Sequence, residues 1–292
     1  MLRLTIKRSI LLLCVTALLM FSAGAGAEAV SLPMDYSGGI KLNQSCFTSP
    51  LSYEDPTISV QITQGRENDC DYWIADIRIA NAAQLRTAGA DDFESNMTMD
   101  GVKLATRVNA VLALDGDYFC YTEAGYIIRQ GVPYINVLNG TRDALLIDED
   151  GDLHVVLKPE KGSLTDTIDG KKVVNSFNFG PALVVDGKVR TNGYSNGMAA
   201  DKGAQRMALC QVGPLHYKVI CCASPFRGSV GMTMDQFAKF VASQPDVITA
   251  YNLDGGDSTM MIFGGTKIND PDNPNTRQIA DLIYFASAWQ EE

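Results

Sequence analysis

Short apolar runs separated by turn signals recur along this chain. Alternate residues from Trp73 to Ile79 form one apolar face, which is typical of a half-buried strand. Further runs meet in pairs across Asp-Gly or Gly-Pro turns, which is the pattern of β-hairpins. The predicted hairpins span Ala144 to Lys158, Pro181 to Val189 and Arg206 to Cys222. Many strands are therefore expected to pair antiparallel with their neighbours in sequence.

Two helices are predicted among these strands. The first runs from about Asp100 to Ala110, and the second begins at Thr233, which has the capping-box spacing with Gln236. Each helix precedes a buried strand, at Val111 to Leu114 and at Val247 to Leu253. Helix-strand units among hairpins predict an α+β fold, with a mixed, largely antiparallel β-sheet core and a few flanking helices.

Both of those strands end in acidic, glycine-containing segments, Asp115-Gly116-Asp117 and Asp254-Gly255-Gly256-Asp257-Ser258. Glycine permits positive φ angles and close approach of a ligand to backbone N–H groups. A carboxylate can transfer a proton, and a serine hydroxyl can donate a hydrogen bond. The residues alone leave two interpretations open: a polar site, or a tight hairpin turn that needs no ligand.

The N-terminus predicts export. Basic residues precede an apolar stretch from Ile10 to Phe21 and then Ala25-Gly26-Ala27, the pattern of a signal peptide cleaved after Ala27. The alternative is an uncleaved anchor, although the stretch is short against the ~20 residues that span a bilayer. We therefore predict a signal peptide at 1–27, followed by an irregular segment at 28–57 and a single domain at 58–292. The expected location is secreted or in the cell envelope, without stable membrane insertion.

The charge balance restricts the partners. The chain has 24 basic and 34 acidic residues, for a net charge of -10, which argues against nucleic acid and anionic membranes as partners. A substrate that carries phosphate would have to be held by local arginines and backbone donors. Arg206 and Arg227 are the candidates.

The cysteines allow disulfides. Cys14 lies in the predicted signal peptide, and the six others are compatible with disulfides in an exported chain. If the turn of the 206–222 hairpin is centred between Leu215 and His216, Cys210 lies opposite Cys221, and we predict a bridge between them. The alternative is that several of these cysteines are buried thiols. A zinc site is disfavoured, because the chain has no CxxC and only two histidines.

Several blocks of this sequence resemble the phosphodiester glycosidase family. They occur in the order of the family and extend the resemblance over residues 58–288. The blocks are Leu114 to Phe119, Phe179 to Lys188, Gln205 to Ala208, Ser229 to Met234, Asn252 to Met260 and Arg277 to Ala280.

The resemblance implies a secreted glycosidase that hydrolyses a sugar 1-phosphodiester, in exopolysaccharide or cell-envelope glycan processing. It implies Asp254 as the leading catalytic carboxylate, with Asp115 or Asp117 as its partner. Arg206 and Arg227 would hold the phosphate, and Tyr118 would stack on sugar. The turn residues that would bind substrate are Gly116, Gly255, Gly256 and Ser258.

Two departures from the family pattern make the predicted site more acidic. Asp115 stands where the family usually has Asn, and Asp257 stands where it has Gly. The added carboxylates would change the substrate, bind a cation or be partly protonated. Nothing in the sequence requires a cofactor, and the sequence does not exclude a bound divalent cation. A glycan-binding module without activity, and a metal-assisted phosphodiesterase that cuts the P–O bond, remain alternatives.

Overall fold

A computed structural model of the chain describes residues 29–91, 93, 95–117, 125–191, 199–225, 228–270 and 276–291. The predicted signal peptide, Tyr118, Cys120 and Arg227 lie outside the described residues. Within the described ranges, the structure contains no helix that is both long enough and apolar enough to cross a membrane.

Strands dominate the described residues, which contain only two α-helices, α1 (Gly101–Arg107) and α2 (Met234–Ala242). In chain order the strands are β1 (Phe47–Ser49), β2 (Ser52–Asp55), β3 (Ile58–Glu67), β4 (Cys70–Ile79), β5 (Leu85–Gly89), β6 (Met99–Asp100), β7 (Ala110–Asp115), β8 (Gly125–Arg129), β9 (Val132–Val137), β10 (Ala144–Asp148), β11 (Leu153–Val156), β12 (Thr167–Ile168), β13 (Lys171–Phe177), β14 (Ala182–Val185), β15 (Lys188–Val189), β16 (Arg206–Gly213), β17 (His216–Cys222), β18 (Thr249–Asn252), β19 (Met261–Phe263), β20 (Thr266–Lys267), β21 (Gln278–Ile279) and β22 (Asp281–Ala286).

The strands form two large sheets and three smaller ones. The nine-stranded sheet has the order β1-β2-β3-β4-β17-β16-β18-β14-β15, and the five-stranded sheet has the order β20-β19-β7-β22-β5. A four-stranded sheet has the order β11-β10-β13-β12, and β21-β6 and β8-β9 form two-stranded ladders. These ladders are antiparallel. The predicted α+β class is thus correct in its antiparallel sheets, but the protein is more strongly β than that class implies.

The local sequence patterns explain the helices and hairpins. Thr233 accepts a hydrogen bond from the N–H of Gln236, whose side chain accepts one from the N–H of Thr233, so the predicted capping box begins α2. Asp100 caps α1 in the same way through the N–H of Lys103. The three predicted hairpins form as β10-β11, β14-β15 and β16-β17. The sequence patterns therefore predicted these local elements correctly.

Two expectations are corrected by strand pairing. The segment at 28–57 is not irregular throughout, because β1 and β2 lie at the edge of the nine-stranded sheet. The predicted bridge between Cys210 and Cys221 is wrong, because the turn is centred between Pro214 and Leu215 and a bulge between Gln211 and Gly213 shifts the pairing by one more residue. Cys210 therefore pairs with Lys218 and Cys221 with Met207, and both cysteines are free thiols. Met207 and Cys210 are three residues apart, so the two thiols point to opposite faces of the sheet.

The main core lies between the nine-stranded and five-stranded sheets. Tyr217 of β17 and Phe285 of β22 meet there, with ring centroids 5.5 Å apart. The side chains of Val219 and Leu114 belong to the same buried cluster. Burial of this apolar surface is the main favourable contribution to folding, at about 25 cal/mol per Å². Because β7, β18, β19 and β22 belong to the packed sheets, the segments at their ends have fixed positions.

Candidate active site

The segment that follows β18 connects the two large sheets. β18 belongs to the nine-stranded sheet and β19 to the five-stranded sheet, so the chain between them is not a hairpin turn. It contains one short 3-10 helix, Gly256–Ser258. The N–H of Asp254 donates to the carbonyl of Gly116 over 3.1 Å. The N–H of Gly116 donates to the backbone carbonyl of Asp281 over 3.3 Å. These bonds hold three distant segments together.

A cavity of about 450 Å³ opens where these segments meet. It brings together five predicted site residues: Asp115, Gly116, Asp117, Asp254 and Ser258. The other lining residues come from one continuous segment, Arg277, Gln278, Ile279, Ala280 and Asp281. The two acidic segments that end β7 and β18 therefore form one site, together with the start of β22.

Asp115 has one paired and one unpaired carboxyl oxygen. Its side chain is 1% exposed, and its Oδ1 accepts the N–H of Met260 over 2.9 Å. Its Oδ2 is buried and meets no hydrogen-bond partner among the described residues. Burial, with the nearby charges of Asp254 and Asp281, raises the pKa of Asp115 well above its usual range, although the Met260 N–H acts in the opposite direction. Burial and the unpaired oxygen therefore favour the protonated form of this side chain.

Asp254 is the partly exposed carboxyl group of the site. Its Oδ1 accepts the N–H of Gly255 over 2.8 Å, and Ser258 supplies a side-chain hydrogen bond. Burial raises the pKa of Asp254, while these two bonds and the charge of Arg277 lower it by less. Asp115, Asp117 and Asp281 are almost fully buried, so Asp254 is the carboxylate that a bound molecule meets first.

A buried arginine links the other two carboxylates. Arg129 of β8 donates through Nη2 to Asp117 Oδ1 over 2.7 Å and to Asp281 Oδ2 over 2.7 Å. Asp117 Oδ2 accepts the N–H of Asn178 over 2.9 Å. The guanidinium also lies 4.2 Å from the centroid of the Phe177 ring. This arrangement fixes the carboxylates on one wall of the cavity.

Gly116 permits the close approach of Asp281. A Cβ atom added at Gly116 would lie 2.5 Å from Asp281 Oδ1 and 2.6 Å from its Cγ, closer than van der Waals contact allows. Any side chain at position 116 would therefore displace the Asp281 carboxyl group. Gly116 thus shapes the cavity rather than acting as a flexible hinge.

Three predicted substrate-binding residues are not among the described residues that line the cavity. Arg206 is buried, and its guanidinium donates to the carbonyls of Met232, Ala199 and Lys202. The N–H of Gly255 donates to the carboxyl group of Asp254, and the N–H of Gly256 donates to the carbonyl of Gln205. In this arrangement these groups organise the loops beside the cavity.

Three residues of the site were missed by sequence reasoning. Arg277 is exposed and lines the cavity, and Asp281 closes its buried wall. Their position directly within and after the Arg277 to Ala280 block was the available signal. Arg129 gave no such signal, because an arginine at the end of a strand usually extends into solvent. Among the described residues, no group of three or more His, Cys, Asp or Glu side chains is arranged to hold a metal ion.

The comparison with family models identifies the class of protein. The model described as phosphodiester glycosidase matches residues 108–286, and the chain therefore belongs to this family. The acidic segments that end β7 and β18 and the start of β22 all lie within the matched residues. A comparison with curated proteins gives no significant match.

Solved structures agree on the fold. The catalytic domain of zebrafish N-acetylglucosamine-1-phosphodiester alpha-N-acetylglucosaminidase, auto-inhibited by its pro-peptide, matches with a TM-score of 0.61 and 15% identity, covering 85% of this chain and 87% of that chain. A hypothetical protein from Synechocystis matches with a TM-score of 0.59 and 14% identity, covering 81% of this chain. This chain spans 64% of the length of that protein. At these identities the matches establish a shared fold.

Proposed function

We propose that the protein hydrolyses the glycosyl-phosphate bond of a sugar 1-phosphodiester. The observation that carries this proposal is the cavity in which Asp254 and Asp115 meet beside Arg277, in a chain of the phosphodiester glycosidase family. Cleavage of an anomeric C–O bond requires a carboxylate at the sugar carbon and stabilisation of an oxocarbenium-like transition state. The cavity offers carboxyl groups for this purpose and an arginine for the phosphate.

Asp254 is assigned the role at the anomeric carbon, as nucleophile or as base. It is the most accessible of the four carboxyl groups, and Ser258 and the N–H of Gly255 orient it. Asp115, with its raised pKa, is assigned as the proton-bearing partner. A phosphate leaving group departs as a stabilised anion, so the chemistry depends on proton donation less than cleavage of an alkyl glycoside does.

Arg277 is assigned to the phosphate. It lines the cavity from the exposed side, and its positive charge reaches Asp254. A guanidinium can donate two parallel N–H groups to phosphate oxygens, which fixes the orientation of the leaving group. Arg227 and Tyr118 remain further candidates from the sequence, and they lie outside the described residues.

Export and the cellular role are also part of this proposal. The N-terminal pattern of a signal peptide supports a secreted or cell-envelope protein that acts on exopolysaccharide or envelope glycans. The acidic composition supports a glycan rather than a nucleic acid as partner. No cofactor is proposed, and the requirement for a divalent cation is tested below.

Hydrolysis in ¹⁸O-labelled water tests the reaction. Purified protein is incubated with a panel of glycosyl phosphodiesters, with and without EDTA, and the products are analysed by mass spectrometry. We expect a free sugar that carries the label and an unlabelled phosphomonoester, both in the presence and in the absence of EDTA.

Other outcomes would contradict this reaction. Label in the phosphate, with EDTA sensitivity, would show a metal-assisted phosphodiesterase. Binding of the panel without any hydrolysis would favour a glycan-binding module. Asp254→Asn is the control for contaminating hydrolases, because it should lose the activity while it keeps the fold.

A further inference from the structure

Among the described residues, one buried cation in the wall of the cavity meets two carboxyl groups. Arg129 donates to Asp117 and to Asp281, and the side chains of all three are almost fully buried. One guanidinium balances the charge of one carboxylate. A second negative charge in the same buried place would be poorly compensated and therefore unfavourable.

Hydrogen bonds indicate which carboxyl group carries the charge. Both oxygens of Asp117 accept hydrogen bonds, from Arg129 and from the N–H of Asn178. Asp281 Oδ2 accepts two N–H groups of Arg129, over 3.0 and 2.7 Å. Asp281 Oδ1 is buried and has no hydrogen-bond partner among the described residues. A proton on that oxygen would remove an uncompensated charge without breaking any hydrogen bond.

The surrounding charges favour the same assignment. Asp281 on β22 faces Arg129 from β8, Asp117 and Asp115 from the end of β7, and Asp254 from the segment after β18. Burial raises the pKa of Asp281 to about 8, the Arg129 charge lowers it, and Asp117 and Asp254 raise it. The effect of burial exceeds that of the single cation.

We propose that Asp281 is an uncharged carboxylic acid in the protein that binds substrate, and that this proton allows the cavity to bind a phosphodiester anion. This inference rests on the proposed function for the class of ligand. With Asp115 and Asp281 neutral, the charges of Asp117 and Asp254 are balanced by those of Arg129 and Arg277. Ionisation of Asp281 adds one negative charge and weakens the binding of an anion.

The test uses dimethyl phosphate, a small diester that stays a monoanion between pH 6 and pH 9.5. Its affinity is measured by calorimetry on the full-length protein. We expect the affinity to fall by roughly tenfold as the pH rises through the titration of Asp281, since one added charge shifts binding by about one order of magnitude.

Asp281→Asn is the matched variant. Asparagine keeps the shape of a neutral carboxyl group, and its amide oxygen can still accept from Arg129. We expect this variant to bind dimethyl phosphate as the wild type does at pH 6 and to keep that affinity within about twofold up to pH 9.5. Asp257→Asn, which neutralises an exposed carboxylate beside the same segment, should keep the pH dependence of the wild type.

A direct titration keeps the inference falsifiable even if Asp281→Asn does not fold. In wild-type protein labelled with [¹³C]aspartate, one buried carboxyl signal assigned to Asp281 should titrate far above pH 4. A signal that titrates near pH 4, or a pH-independent affinity of the wild type, would overturn the inference. Neither readout requires turnover, so a protein that hydrolyses no diester would overturn the proposed function alone.

Discussion

Two acidic clusters in this protein differ in how their oxygens are paired. The Asp148 turn, residues Asp148 to Asp152 between β10 and β11, carries several carboxylates, as the cavity does. Asp148 Oδ1 accepts the N–H groups of Asp150 and Asp152 over 3.0 and 2.9 Å, and its Oδ2 lies 2.9 Å from His154 Nε2. Lys171 Nζ lies within 3.4 Å of carboxylate oxygens of Asp148, Asp150 and Asp152.

The two clusters therefore have opposite electrostatics. Burial raises the pKa of Asp148, but the hydrogen bonds of His154 and the backbone lower it by more, so the net shift is downward. In the cavity, unpaired oxygens on Asp115 and Asp281 accompany raised pKa values. An acidic segment therefore indicates a site more strongly when some of its buried carboxyl oxygens lack partners among the described residues. The fully paired carboxylate of Asp148 stabilises a turn.

The sharpest test of the contrast is Asp254→Asn. Loss of the accessible carboxylate should lower kcat by about 10³-fold or more on any diester that the protein hydrolyses, because the other described carboxyl groups of the cavity are almost fully buried. Steady-state kinetics and circular dichroism measure activity and folding. Asp257→Asn, the exposed neighbour, should stay within about twofold. An Asp254→Asn variant within tenfold of the wild type would contradict the assignment.

Gly116→Ala should disturb the cavity through a single methyl group. The added Cβ would overlap the Asp281 carboxyl group, which costs about 1–3 kcal/mol of unfolding free energy and lowers activity. Urea denaturation gives the free energy. The control is Gly213→Ala, where the nearest atom to the added Cβ is His216 Cβ at 4.0 Å. Equal effects of the two changes would show that close packing at Gly116 is unimportant.

Asp148→Asn and Asp115→Asn should have different effects on the free energy of unfolding at pH 8. Asp148→Asn removes a charge that hydrogen bonds and Lys171 stabilise, so the free energy of unfolding should fall by about 1–3 kcal/mol. Folding disfavours the ionised form of Asp115. Asp115→Asn removes this ionisable group, so the free energy of unfolding should be unchanged or higher. Chemical denaturation at fixed pH measures both variants, and a large loss for Asp115→Asn would break the contrast.

The pH dependence of these two variants follows from the pKa directions. The lowered pKa of Asp148 gives stability that is present above its unfolded value of about 3.9 and lost as the pH falls through the folded value. The raised pKa of Asp115 makes stability fall as the pH rises from about 3.9 towards the folded value. Melting temperatures are measured from pH 3 to 9. The loss of stability towards low pH should be smaller in Asp148→Asn than in the wild type, and the loss of stability with rising pH should be smaller in Asp115→Asn.

The smallest effect is expected for Lys171→Met. This lysine meets three carboxylates but is partly exposed, so solvent screens the ion pairs. We expect the melting temperature to fall by less than about 3 °C and the difference to shrink in 1 M NaCl. Lys172→Met, the exposed neighbouring lysine, is the control. A large fall in melting temperature that persists at high salt would contradict the expectation that solvent screens these ion pairs.

Local sequence patterns predicted much of this fold. The capping box at Thr233 and the Asp-Gly turns at Asp150 and Asp186 act within a few residues, so the sequence contains all the information they need. The register of β16 and β17 was missed, because the turn is centred one residue earlier than expected and a bulge shifts the pairing further, and no residue pattern marked either feature. The assignment of strands to separate sheets depends on tertiary packing, which hairpin patterns do not encode.

The site was only partly predictable. Asp115, Asp117 and Asp254 follow buried strands, and this position identified them. Arg129 and Asp281 become part of the site only because β8 and β22 meet the ends of β7 and β18 in space. The sequence does not distinguish a buried arginine from an exposed one, so the role of Arg129 could be recognised only in the structure. Arg206, which was predicted to bind phosphate, is buried and donates hydrogen bonds to three backbone carbonyls.

The position of β22 has a consequence for biogenesis. This strand lies between β5 and β7 in the five-stranded sheet, yet it follows both of them, and every other described strand, in the chain. The ribosome releases the chain in order, so β5 and β7 emerge before the strand that joins them. A nascent chain that has not yet released β22 therefore has an incomplete cavity wall, because Asp281 belongs to that strand.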